Sequence, residues 1–168
     1  MKWIRLFYLY PTYFDDELLE IITKEEKICK YVDIPLQHIS DSVLRRMHRR
    51  DSSQSIKKLL KKLRNTTPYI TIRTTLMVGF PGETEADFKE LLTFIKAVKF
   101  DNMGAFTYSA QDGTPAARMV DQVTEEIKEN RYHELMAAQA EISEENNRNL
   151  IGVDTEVLVE ELMNNGSG

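Results

Sequence analysis

Apolar and polar positions alternate between two periods along this chain, and the switches between them set its organisation. Residues 3–10 (WIRLFYLY) are aromatic and branched, too short for a solitary core helix and closed by Pro11, which predicts a buried strand. A helical stretch follows to Lys24, starting at Thr12 or Phe14. Leu18, Leu19, Ile21 and Ile22 form its apolar stripe, and Asp15, Asp16 and Glu17 favour its amino terminus. Residues 31–36 (YVDIPL) read as a second strand, with Pro35 bending the chain before Gln37, His38, Ile39 and Ser40.

Two helices come next. Ser40 is placed to cap 41–49, whose Val43, Leu44 and Met47 face inward. Residues 52–64 carry Ile56, Leu59, Leu60 and Leu63 on one face and four lysines on the other, the pattern of a surface helix covering a sheet. Residues 70–78 (ITIRTTLMV) then alternate as a third strand and break at Gly79, Pro81 and Gly82. Thr84 is a candidate cap, with Asp87 three residues on, for a helix over 85–99 that buries Phe88, Leu91, Leu92, Phe94, Ile95 and Val98.

Residues 102–109 (NMGAFTYS) give a fourth strand, 111–115 a turn, and 124–150 one long helix capped by Thr124. Residues 153–162 alternate as a short final strand, and 164–168 read as a flexible tail. Four strand-then-helix units in succession predict an α/β fold with a parallel sheet and right-handed crossovers, a portion of a barrel or a doubly wound sheet. Loops at the carboxyl ends of such strands gather on one side. That side collects Tyr10, Gln37, His38, Ser40, Gly79, Glu83, Tyr108 and Ser109.

Composition narrows the classes. With 168 residues, 42% hydrophobic and 29% charged, the chain has material for one core. A net charge of −5 gives no average attraction for nucleic acid or anionic lipid, so basic behaviour must be local. No apolar run reaches the roughly 18 residues that span a bilayer, and Arg5 interrupts the short amino-terminal one, which makes the cytoplasm the expected compartment and a membrane an unexpected partner. The single cysteine, Cys29, excludes an intrachain disulfide, a multi-cysteine zinc site and a cysteine-held iron–sulfur cluster within these residues.

Candidate chemistry centres on the turn Gly79, Phe80, Pro81, Gly82, Glu83. It has neither the lysine of a phosphate-binding P-loop nor the spacing of a dinucleotide fingerprint. Its glycines let backbone approach a ligand closely, and Glu83 can accept hydrogen bonds from an amine or a ribose hydroxyl; a tight turn with no ligand is the plain alternative. His38 beside Gln37 reads as a base, a ligand or a hydrogen-bonding residue, and three histidines in all argue against zinc. Arg73, if it faces the sheet interior, needs an anionic partner: Asp33, Glu83 or a ligand carboxylate. Arg45, Arg46, His48, Arg49 and Arg50 form the densest basic cluster, either a solvated helix end or a contact for a phosphate-bearing partner.

The strings DIPLQHIS with VLRRM, RTTLMVGFPGET, FTYS with GTPAA, and IGVDTEVLVE resemble the radical S-adenosylmethionine methylthiotransferases, in order and over nearly the whole chain. RTTLMVGFPGET and FYLYPT are most similar to the type that modifies an aspartate of a small-subunit ribosomal protein; the sibling type acting on a transfer RNA adenosine is the alternative. The resemblance implies a partial TIM-like barrel of about four parallel βα units over 1–150, with a long carboxyl-terminal helix. It implies the start of a TRAM-like domain, with its short strand, over 151–162, and a tail over 163–168.

It further implies that Gly79, Phe80, Pro81, Gly82 and Glu83 lie along S-adenosylmethionine, with Phe106 and Tyr108 near the adenine. Gln37, His38 and Ser40 would face the pocket, with Arg73 a further contact. The family holds 4Fe-4S clusters with a CxxxCxxC loop and three further amino-terminal cysteines, none of which is present, so the resemblance is to a truncated fragment, inactive alone. An apolar sheet edge at 3–10 would then favour a homo-oligomer. Two other readings stand beside this one: an RNA- or ribosome-binding module using residues 45–50, and an unrelated half-barrel enzyme, for which no nucleophile and base pair is visible.

Overall fold

The computed structural model describes residues 2–157. Four strands form one parallel sheet in the order β1-β2-β3-β4: β1 Ile4–Leu6, β2 Ile28–Asp33, β3 Thr71–Val78 and β4 Asn102–Thr107. The helices are α1 Asp16–Lys24, α2 Asp41–Arg46, α3 Ser53–Thr66, α4 Glu85–Val98 and α5 Glu125–Arg148. Because the strand order never reverses, right-handed crossovers carry every helix to the same face. The sheet is therefore a segment of a barrel wall rather than a doubly wound sheet.

The sequence period of two decides which side chains meet the helices. Along β3, Ile72, Thr74, Leu76 and Val78 are buried while Thr71, Arg73, Thr75 and Met77 are half-buried. The buried set joins Leu19 and Ile22 of α1, Ile56, Leu60 and Leu63 of α3, Phe88, Leu91 and Ile95 of α4, and Leu135, Ala138 and Ile142 of α5 in one core. Strand pairing puts Asp33 beside Arg73 and Phe106 beside Met77, so these side chains share the other, open face. Arg73 there pairs with Asp33 at 2.9 Å, the first of the three partners its sequence position suggested.

Several expected boundaries are corrected. The first strand covers only Ile4–Leu6, not 3–10, and is no buried strand: Tyr8 turns the chain at φ 56°, and Phe7, Tyr8 and Tyr10 are exposed. It is an edge strand with one neighbour, so nothing covers its outer residues. β2 starts three residues earlier than 31 and ends before Pro35, which has no amide hydrogen to give the ladder. The chain still runs along β3: Ile34 N donates to Arg73 O and Gln37 N to Thr75 O, while Met77 N donates back to Gln37 O. Such tracking forces Gln37 to φ 68°.

α2 stops at Arg46 rather than 49, and His48 leaves it at φ 55°. The fourth strand ends at Thr107 rather than 109. Of the strand expected at 153–162, residues 153–157 are irregular and exposed and the remainder lies outside the described residues, as does the tail at 163–168. Thr84 and Thr124 cap α4 and α5 as their positions predict, Thr84 in a reciprocal box with Asp87.

Candidate cofactor-binding site

β3 delivers its last residue, Val78, into the turn at 79–83, and α4 leaves from Thr84. Gly79 and Gly82 sit at φ 74° and 80°, conformations that a Cβ would strain. Space imposes the same requirement. A Cβ on Gly79 would overlap the stem of Lys128, and one on Gly82 the guanidinium of Arg46. Sequence reading assigned these glycines to a ligand; the structure shows side chains of α5 and α2 filling the approach.

Glu83 points inward. Its Oε2 accepts the Gly79 amide at 2.6 Å and its Oε1 accepts Arg131 Nη1 at 3.0 Å, while the same Nη1 reaches the Glu83 carbonyl at 3.1 Å. With its side chain fully buried, Glu83 closes the turn on itself, its two carboxylate oxygens taken by the Gly79 amide and Arg131. Burial pushes its carboxyl up from the usual range, against the pull of Arg131 and of the Gly79 amide.

His38 approaches Glu83 from the β2 side, with 3.9 Å between Nε2 and Oε2. Its Nδ1 accepts the Ser40 amide at 3.0 Å, so the ring proton is on Nε2, where no hydrogen-bond partner lies within reach. Burial pushes the imidazole down to about 4, with the Asp87 carboxylate opposing, so His38 is neutral at neutral pH. Ser40 occupies the cap position of α2 but makes no capping bond with its side chain; its hydroxyl donates to Asp87 Oδ1 at 2.5 Å. Burial pushes Asp87 up, yet hydrogen bonds from Ser40, Thr84 and Ser42 outweigh it and hold the carboxyl well below its usual range. His38, Ser40, Glu83 and Asp87 thus form a polar strut behind the turn.

In front of it lies a cavity of about 320 Å³. Gln37, Met77, Phe80, Met47, Pro115 and Met119 are among its lining residues, with Arg46 and Arg49 at the rim. Phe80 packs edge-on against Tyr108 at 5.1 Å, and Tyr108 lies under the Lys128 ammonium at 5.4 Å. Apolar walls with the Gln37 amide and strand-end backbone at one side suit a ligand with a flat ring and a polar edge. Of the residues predicted from sequence, Gln37 and Phe80 line this cavity. Tyr108 packs against Phe80 behind it, Gly79, Pro81 and Gly82 neighbour Phe80 in the turn without lining it, and Phe106 and Arg73 sit on the open sheet face.

Sequence reading missed Met47, Met77, Pro115 and Met119 as lining, and missed Lys128 and Arg131. A signal existed for these last two. Residues 128, 131, 135, 138, 139 and 142 are all buried along α5, so two cations stand on an otherwise core-facing stripe. Nothing in the sequence marks Asp121, whose carbonyl accepts the Gly82 amide at 2.8 Å and whose carboxylate takes Arg46 at 2.7 Å.

The chain offers no comparable fit to an iron–sulfur cluster. Cys29 is its one cysteine and lies half-buried on β2, and among the described residues no three His, Cys, Asp or Glu side chains are placed to hold a metal ion.

Comparison with known proteins bears on the same region. Ribosomal protein uS12 methylthiotransferase RimO of Geotalea uraniireducens is 51% identical over 160 residues, 95% of this chain and 36% of that protein. RimO of Desulforudis audaxviator is 54% identical over the same share. The chain therefore spans about a third of the length of these relatives. Among solved structures, Escherichia coli coproporphyrinogen III oxidase (HemN), a radical SAM enzyme, superimposes with a TM-score of 0.69 at 19% identity, covering 83% of this chain and 32% of that one. The radical S-adenosylmethionine methyltransferase TsrM of Kitasatospora setae, with cobalamin and a [4Fe-4S] cluster bound, gives 0.55 at 20% identity, over 68% and 22%. These two show the fold. The family model described as the Radical SAM superfamily matches residues 2–95, more than half of the chain and all of the strut and turn up to α4, and the chain belongs to that superfamily.

Proposed function

We propose that this chain is part of a ribosomal protein methylthiotransferase of the RimO kind and contributes one wall of its S-adenosylmethionine pocket. The observation that carries the reading is identity of 51% over 160 residues, 95% of this chain, to a protein of that name. The cavity bounded by Gln37, Met77 and Phe80 is the part of the structure suited to the cofactor's adenosyl group. S-adenosylmethionine held here would supply radical chemistry to the longer protein; this chain's contribution is to bind and orient it. His38, Ser40 and Glu83 act behind the turn by fixing its backbone. Gly79, Pro81 and Gly82 give its shape, while Phe106, Tyr108 and Arg73 complete the neighbouring sheet face.

Activity belongs to the longer protein, since one cysteine cannot ligate a cluster. A ribosomal substrate would place that protein in the cytoplasm, and no helix among the described residues is long and apolar enough to cross a membrane. The exposed β1 edge, with Ile4, Phe7, Tyr8 and Tyr10 uncovered, supports self-association of the chain by edge pairing. Sedimentation across a range of concentrations tests it, and a constant monomer mass would end that part of the reading.

The cofactor reading is tested by calorimetric titration with S-adenosylmethionine of the chain and of Met77→Asp and Gln37→Ala. Binding by the parent that Met77→Asp abolishes is expected. Binding unchanged in both variants, or none by the parent, would refute the assignment of this cavity.

A further inference from the structure

Among the described residues the sheet has two free edges, β1 on one side and β4 on the other. Met103, Ala105 and Thr107 of β4 pair with Thr74, Leu76 and Val78, which are buried. The β4 residues are only half-buried, because no described strand lies beyond them. α5 reaches past that edge. Two cavities, of about 340 and 310 Å³, follow each other along β4 between its free side and α5. Met103, Gly104 and Met136 wall the first, and Ala105, Phe106 and Tyr132 the second. The seat of a further parallel strand thus already has its covering helix, placed where a right-handed crossover from β4 would carry it.

Neither edge carries the usual protection. β4, reading NMGAFT, has no charge and no proline. Arg5 of β1 turns onto the open face, where its guanidinium lies 4.8 Å from the Tyr31 ring. Ile4 and Leu6 alternate with Arg5 and face the helix side, where Leu6 meets the core and Ile4 stays exposed. β1 therefore offers two aliphatic side chains two residues apart, and β4 offers two cavities in succession beneath Met136 and Tyr132. We propose that β1 of a second copy of this chain takes the seat beside β4, and reciprocally, so that two four-stranded walls close one eight-stranded parallel barrel. Eight is the number at which parallel βα barrels close. A four-strand arc is half of that, so a two-fold axis along the barrel satisfies both edges at once and keeps every strand parallel. Arg73, Met77 and Phe106 of both copies then line a common lumen.

Pairing of β1 with β1 fits less well. A two-fold axis between those edges makes the strands antiparallel, joins only three residues from each copy, and leaves β4 and both its cavities uncovered. The closure rests on the edge pairing put forward above, for which it names the second edge; it does not depend on the methylthiotransferase reading.

Sedimentation of the chain over a range of concentrations should give a mass that rises from one copy and stops at two. Disulfide trapping reads which edges meet. In a Cys29→Ser background, Ile4→Cys mixed with Met103→Cys or with Ala105→Cys should link on mild oxidation, while each variant by itself should not. Within one copy β1 and β4 stand three strand spacings apart, about 14 Å, which no disulfide spans, so a link reports two copies. Gly104→Lys places a charge where a Cβ meets nothing within 4 Å, on the open face that Arg5 of the second copy shares. It should keep the fold and weaken the dimer by about tenfold or more. Growth beyond two copies, no link in either mixture, or an unchanged dimer in Gly104→Lys would overturn the closure. Ile4→Cys linking to itself would end this geometry but leave edge pairing standing, whereas a constant monomer mass would end both. Sedimentation of the parent and of Gly104→Lys decides the matter even if a cysteine variant does not fold.

Discussion

Acidification should strike this fold through His38. The ring is neutral, fully buried and hydrogen-bonded to the Ser40 amide, and a proton added to it would be both desolvated and adjacent to Arg131. A folded pKa of about 4 against 6.5 unfolded means that the unfolded chain binds this proton first. The stability His38 contributes is therefore full above pH 6.5 and is lost as pH falls toward 4. At about 1.4 kcal/mol per pH unit the total loss is about 3 kcal/mol, with about 2 kcal/mol of it gone by pH 5.

Glu83 works in the opposite sense, because its raised pKa favours the folded state at low pH and lowers stability as pH rises. Urea unfolding of the parent and of His38→Gln at pH 7.5 and pH 5 separates the two. The variant keeps an acceptor for the Ser40 amide but cannot titrate, so its loss of stability over that interval should be smaller by about 2 kcal/mol. An NMR titration of the imidazole gives the pKa directly. A midpoint near 6.5, or equal pH dependence in parent and variant, would refute the argument.

Arg131→Met should cost about 3 to 5 kcal/mol in urea unfolding at pH 7.5, because it strands the Glu83 carboxylate in the interior; the double variant Arg131→Met, Glu83→Gln should recover part of it. Gly79→Ala should lower stability by about 1 to 3 kcal/mol through its positive φ and the Lys128 stem, and Lys128→Ala should relieve the steric share in a double-mutant cycle read by thermal unfolding. Asp87→Asn keeps the size of the side chain but weakens the hydrogen bonds it receives from Ser40, Ser42 and Thr84. A loss of about 1 to 2 kcal/mol at pH 7.5 is expected, and no loss would show that the cap of α4 does not depend on the carboxylate.

Local chemistry alone sufficed for much of this protein. The alternation of β3, the glycine turn after it, the Thr84 cap with Asp87 and the Thr124 cap of α5 are interactions within a few residues, and they read directly from the sequence. So did the parallel sheet, because four strands each followed by a helix leave few other connections. Single cysteine content also settled from composition that these residues cannot hold a thiolate cluster.

Long-range pairing decided the rest. Glu83 follows the turn where a ligand was expected, yet Arg131, 48 residues away, draws it inward. Ser40 stands where a helix cap belongs, but Asp87 offers its hydroxyl a charged acceptor and wins it. β1 has the aromatic and branched residues of a buried strand and remains an exposed edge, because burial requires a second neighbour that only the sheet can supply. The cavity walls come from residues as far apart as Gln37 and Met119, whose meeting no sequence period encodes. Periodicity specifies which face of an element turns inward; which charges and rings meet across the core depends on how the elements stack.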